Sequence, residues 1–153
     1  MPGDLKTGTV PPIRLLIVDD RIPAREGLRA LISVIGEATF DQQRATIVVA
    51  GEASDGAQAI KLVAEQHIDV VLMDVRMPGL NGLETARLMK SYWPDLHIIL
   101  ISFYGVHRVK AMEAGADEFL LKGCSPEELL KAILAVRELP VHKICSGRAM
   151  FER

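Results

Sequence analysis

Five short apolar runs, each followed by a stretch with helical spacing, constrain this chain more than anything else in it. Residues 13–19, 46–50, 70–73, 97–101 and 118–121 are rich in Val, Ile and Leu and read as strands. Residues 23–35, 55–65, 81–90 and 106–114 space their apolar side chains as helices do, for example Leu28, Leu31, Ile32 and Ile35, or Ala59, Ile60 and Val63. Pro23 suits a first helical turn, and Gly115 suits the residue just past a helix end. Residues 37–44 read as a polar connection. The last helix opens at Ser125-Pro126-Glu127-Glu128, a capping box with Pro at the first helical position, and its stripe is Leu129, Leu130, Ile133 and Leu134. Strands apolar on both faces that alternate with helices form a parallel sheet covered on each side. A closed barrel needs about eight such units. The expectation is therefore an open, doubly wound α/β sheet, which binds ligands outside the carboxyl ends of its strands.

A chain of 153 residues suffices for one compact domain with a real core. Residues 1–12 read as a disordered leader and 138–153, with Pro140 and Gly147, as a tail or linker around a domain at 13–137. Lys and Arg number 18 against 20 Asp and Glu, so the net charge is −2, with no long run of one sign. That leaves no basic footprint for nucleic acid and none for an anionic membrane. No apolar run is long enough to span a bilayer, and the first residues lack the apolar core of a secretory signal. Cys124 and Cys145 make neither a disulfide framework nor a zinc site, which fits a reducing, cytoplasmic setting. His67, His97, His107 and His142 lie on different elements without metal-ligand spacing and read as structural. Trp93, just before Pro94, reads as a packed cap on the sheet edge.

The residues that finish the strands carry chemistry. The first strand ends in Asp19-Asp20, the third in Asp74, the fourth in Ser102 and the fifth in Lys122. All belong to the carboxyl edge, and nothing similar stands out at the opposite edge. Singly, an acid or lysine at a strand end is an exposed rim residue. Together they call for another account, because three carboxylates in one small pocket raise each other's pKa unless a cation neutralises them. A hard divalent ion such as Mg²⁺ suits one or two carboxylates plus a phosphate oxygen. Lys122 would add a second positive charge and Ser102 a hydroxyl donor.

At these residues the chain resembles the receiver domains of bacterial two-component response regulators. The matching stretches are Leu15-Leu16-Ile17-Val18-Asp19-Asp20, then Val71-Leu72-Met73-Asp74-Val75-Arg76-Met77-Pro78-Gly79-Leu80-Asn81-Gly82, then Ile99-Leu100-Ile101-Ser102, and finally Ala114 to Gly123. The stretches at 25–31 and 122–129 are most similar to the subgroup whose receivers precede a helix-turn-helix output domain. The resemblance implies a flavodoxin-like, doubly wound five-stranded parallel sheet of order 2-1-3-4-5. It implies that Asp74 accepts a phosphoryl group from a phosphohistidine on a sensor histidine kinase. Mg²⁺ would be bound by Asp19, Asp20, Asp74 and the backbone carbonyl of Arg76, with Asp19 acting through water. Lys122 would pair with phosphoryl oxygens. Ser102 would hydrogen-bond one of them and draw its loop inward, and Phe119 would rotate inward as the switch aromatic. The changed surface would be the fourth helix, fifth strand and fifth helix, controlling an output such as transcription. A homodimer is compatible with the family, DNA would be reached only through an output domain that this sequence does not contain, and no membrane is involved.

Departures from the family pattern refine these expectations. Arg21 stands where an acid or His is common, Phe103 follows Ser102 where a small residue is frequent, and the segment from Ser102 to Gly115 is short. Gly123, rather than Pro, follows Lys122, which removes the usual reason for a cis peptide. Arg76 and Tyr104 stand at positions that, by the resemblance, flank the path of an attacking water, and both are bulky, so loss of phosphate from Asp74 is expected to be slow. Two other readings compete with the switch. A phosphatase using Asp74 would want an acid two residues on, where Arg76 stands. An inert binding module would not need the full set of Asp19, Asp20, Asp74, Ser102 and Lys122.

Overall fold

The computed structural model describes residues 11–40 and 43–137. Residues 1–10 of the leader expected over 1–12, and the tail expected at 138–153, with Cys145 and His142, lie outside the described residues. The elements in chain order are β1 (Ile13–Val18), α1 (Ile22–Ile35), β2 (Glu37–Phe40), β3 (Gln43–Ala53), α2 (Gly56–Glu65), β4 (Val70–Asp74), α3 (Gly82–Tyr92), β5 (His97–Ser102), α4 (Arg108–Glu113), β6 (Glu118–Leu121) and α5 (Pro126–Leu134).

The sheet order is β2-β3-β1-β4-β5-β6. β3, β1, β4, β5 and β6 pair in parallel. Counted among themselves, these five have the expected order 2-1-3-4-5. One expectation is corrected: part of the polar connection at 37–44 is a strand. β2 pairs antiparallel with the start of β3, Glu37 opposite Thr46 and Phe40 opposite Gln43. An antiparallel edge strand need not be apolar on both faces, so its polar sequence does not betray it.

Alternation along the parallel strands sorts two cores onto the two faces of the sheet. Leu16, Val18, Val71, Met73, Ile98 and Leu100 join Ala59 and Val63 of α2, Ala86 and Met89 of α3, and Ala111 of α4. Leu15, Ile17, Val70, Leu72, Ile99 and Ile101 join Ile32 of α1 and Leu129 and Ile133 of α5. Each fully buried Leu or Ile contributes about 1.5–3 kcal/mol, so the sheet is a rigid platform for whatever its ends carry. Trp93 packs, partly buried, against the first cluster, as its place before Pro94 suggested.

The helix starts are set locally. Ser125 Oγ accepts from Glu128 N–H at 3.1 Å, and Ser125 N–H donates to Glu128 Oε1 at 3.0 Å, the expected capping box. Asn81 and Glu84 build a second box at the start of α3, which sequence inspection did not single out. Gly115, φ +102°, ends α4 as foreseen. The segment expected as one helix over 106–114 is divided: a 3₁₀ turn, Gly105–His107, precedes the short α4. The peptide after Lys122 is trans, and Gly123 takes φ +90°, a conformation that favours glycine.

Candidate functional site

Because β1, β4, β5 and β6 run the same way, their carboxyl ends collect at one edge. Val18 of β1 sits opposite Met73 of β4, which sets Asp19 beside Asp74. Asp19 is fully buried, Asp74 is 6 % exposed, and Asp20 is exposed. Lys122 joins them: Nζ lies 3.0 Å from Asp19 Oδ2 and 3.0 Å from Asp74 Oδ2. Its backbone N–H donates to the Ser102 carbonyl at 2.7 Å, which anchors the lysine to the end of β5. The other carboxylate oxygens accept backbone N–H groups, Asp19 Oδ1 from Arg21 at 2.9 Å and Asp74 Oδ1 from Arg76 at 3.2 Å. A buried charge persists only with such partners.

Gly82 lets α3 close on this edge. Its N–H donates to the Val75 carbonyl at 2.9 Å, and any side chain there would run into the Asp74 carbonyl. Pro78 and Gly79, the latter at φ +73°, turn the chain between β4 and α3.

Burial pushes the Asp74 carboxyl above its ordinary range and is the largest influence on it. The Lys122 and Arg76 hydrogen bonds oppose that rise, and the Asp19 charge adds to it. One oxygen from each of Asp19, Asp20 and Asp74 lies within 4.8 Å of the others. Three carboxylates against one ammonium leave the cluster negative, and oxygen-only donors at this spacing fit a hard divalent cation such as Mg²⁺.

A profile described as "Response regulator receiver domain" matches residues 15–134. The chain belongs to that family. Receiver domains of response regulators are the signalling switches of two-component systems. The nitrate/nitrite response regulator protein NarL of Escherichia coli K12 is 38% identical over 124 residues, which are 80% of this chain and 53% of that protein. The response regulator UvrY of the same strain is 37% identical over 126 residues, 81% of this chain and 54% of that one. The chain thus spans about half the length of the curated relatives it matches. Among solved structures, the signal receiver domain of a putative NarL from Mycobacterium tuberculosis superimposes with TM-score 0.72 at 33% identity, covering 84% of this chain and 98% of that one. The response regulator TrrA from Thermotoga maritima, solved in complex with Mg²⁺-BeF, gives TM-score 0.68 at 29% identity over 81% of this chain and 98% of that one.

In this receiver domain the sequence-derived candidates do not all meet. Asp19, Asp20, Asp74 and Lys122 converge as described. Ser102, 1 % exposed, ends β5 next to them, but its hydroxyl is engaged elsewhere: Oγ lies 2.6 Å from His107 Nδ1 and accepts the Tyr104 N–H at 3.1 Å. Phe119, 2 % exposed, already lies inside the core, with the Arg108 guanidinium 5.0 Å from its ring centre. Phe103 and Tyr104 stand exposed over the edge. Lys122 Nζ is 5.0 Å from the Phe103 ring centre, Arg21 6.0 Å from the same ring, and Arg76 5.9 Å from that of Tyr104. His107, which reads as structural in the sequence, is brought against Ser102. Its spacing from Ser102 is no metal or catalytic signature, and only the 3₁₀ turn brings the two together.

Proposed function

We propose that this chain is a phosphoacceptor switch, with residues 13–137 as the receiver unit, and that Asp74 takes the phosphoryl group of a phosphohistidine on a sensor histidine kinase. The observation that carries this is the Lys122 ammonium bridging Asp19 and Asp74 at 3.0 Å each beside a third acid, Asp20. Phosphoryl transfer asks a protein chiefly for alignment and charge neutralisation. An Asp74 oxygen forms the new O–P bond as the P–N bond of the donor breaks, and the electron pair leaves with the imidazole. Lys122 is placed to move from the carboxylates to the phosphoryl oxygens. Arg76 N–H holds Asp74 Oδ1 and so orients the carboxylate. Asp19, Asp20, Asp74 and the Arg76 carbonyl would hold Mg²⁺, which when bound supplies charge neutralisation for the phosphoryl oxygens. The Ser102 hydroxyl then donates to a phosphoryl oxygen and draws its loop inward. The response spreads over Phe119, α4, β6 and α5, a local charge change biasing a two-state surface.

In this reading the setting is cytoplasmic, the chain is able to form a homodimer, and transcription is reached through a DNA-binding output domain. Among the described residues no helix is long and apolar enough to cross a membrane. The test is incubation with acetyl phosphate and Mg²⁺, followed by intact mass. A persistent added phosphate in the wild type, absent in Asp74→Ala, supports the switch. Turnover to free phosphate would make the chain a phosphatase, and no modification at all would make it an inert module.

A further inference from the structure

Ser102 Oγ carries a single proton, and the structure offers it one acceptor. The hydroxyl oxygen receives the Tyr104 N–H at 3.1 Å, and His107 Nδ1 stands 2.6 Å away. Ser102 is buried, so its proton needs a partner. Among the described residues no second acceptor lies within hydrogen-bond distance of it. The hydroxyl therefore donates to Nδ1, which places the ring proton on Nε2. His107 is in turn braced by Tyr104, whose ring meets it edge-on at 5.9 Å, and Arg76 lies 5.9 Å from the Tyr104 ring centre.

We propose that His107 is a positioning residue for the switch: its Nδ1 holds the Ser102 hydroxyl proton, which must leave His107 before Ser102 can donate to a phosphoryl group on Asp74. The inference rests on the reading of Asp74 as phosphoacceptor. One proton cannot serve two acceptors, so the Ser102–His107 bond and the Ser102–phosphoryl bond belong to alternative states. A ligand shifts such an equilibrium only by its differential affinity for the two states, and His107 reduces that difference for the phosphorylated one. His107 immediately precedes α4. Breaking its bond to Ser102 frees the start of that helix, so the same event that satisfies the phosphoryl group releases the surface element.

Two measurements on the whole chain decide this. The first is ring ¹⁵N NMR of His107 at about pH 8, above the ordinary imidazole range. The expected result is a proton on Nε2, with the Nδ1 signal displaced in Ser102→Ala. A ring protonated on Nδ1 overturns the proposal. The second is titration with beryllofluoride, a phosphoryl mimic, in the presence of Mg²⁺. His107→Leu removes the competing acceptor and should tighten binding about three- to tenfold, the weight of one ordinary hydrogen bond. His107→Asn, whose Oδ1 can take the place of Nδ1, should restore the wild-type value. The gain should vanish in a Ser102→Ala background. No gain in His107→Leu, or a gain that survives without the Ser102 hydroxyl, overturns the inference while leaving the Asp74 reading intact. Failure of every variant to bind beryllofluoride would overturn the Asp74 reading and the competition with it.

Discussion

Both edges of the sheet carry aspartates, and they use them in opposite ways. At the amino edge each acid serves one strand pair. Asp69, just before β4, donates its N–H to the Arg14 carbonyl at 2.8 Å and accepts the Arg14 N–H at 2.9 Å. Asp117, just before β6, repeats the arrangement with Ile98 at 2.8 and 2.9 Å. Each also has its own cation or imidazole, Lys90 at 2.9 Å from Asp117 and His67 at 2.9 Å from Asp69. At the carboxyl edge Asp19 and Asp74 instead share one lysine. An acid that closes a strand pair is satisfied where it stands. Acids gathered on a single ammonium remain short of positive charge, and that deficit suits the edge to a divalent cation.

The contrast can be broken first at Lys122. Lys122→Ala leaves two buried carboxylates without their cation and should cost about 3–5 kcal/mol, read by urea unfolding at neutral pH. A loss no greater than that of an exposed lysine would show that the carboxyl edge is not under charge strain. At the other edge, Asp117→Ala strands the Ile98 N–H and should cost about 1–3 kcal/mol, with no effect on phosphate uptake by Asp74. Impaired uptake would mean that the two edges are not independent.

Neutralising an acid sharpens the comparison further. Asp74→Asn should raise the melting temperature by about 2–4 °C, the shift corresponding to about 1 kcal/mol in a domain of this size. The sign follows from the raised Asp74 pKa. Between the ordinary value of 3.8 and the raised one, the folded state keeps a proton that the unfolded state has lost, so rising pH erodes wild-type stability across that window. The advantage of Asp74→Asn should therefore be full at neutral pH and fade as pH falls toward 3.8. An advantage independent of pH would point to packing instead. The smallest effect concerns Tyr104. Its ring is exposed with Arg76 5.9 Å from its centre; if it shields the acyl phosphate from water, as the family resemblance implies, Tyr104→Ala should shorten the acyl-phosphate half-life about two- to fivefold, less than ~1 kcal/mol. An unchanged half-life removes it as a shield.

The carboxyl edge was legible in the chain because each buried strand is an apolar run and the first polar residue after it marks the sheet's rim. Asp19, Asp74, Ser102 and Lys122 could be placed together from topology alone. The amino edge was not legible in this way. Asp69 and Asp117 matter through backbone N–H groups of neighbouring strands, which leave no trace in residue type. β2 escaped notice because an edge strand made of Glu37, Ala38, Thr39 and Phe40 has no apolar run to display. The Ser102–His107 bond escaped because it depends on where a short 3₁₀ turn points a ring. What sequence reveals here is the direction of strands; what it hides is the loop geometry that decides which of two acceptors receives a proton.

The ion pairs of Lys122 span 103 residues to Asp19 and 48 to Asp74. A nascent chain that has reached only β5 has the acids without their lysine, which comes with the first residue after β6. The acid cluster is thus a feature of the finished sheet: its counter-charge arrives only with the residue that follows the four-residue strand β6.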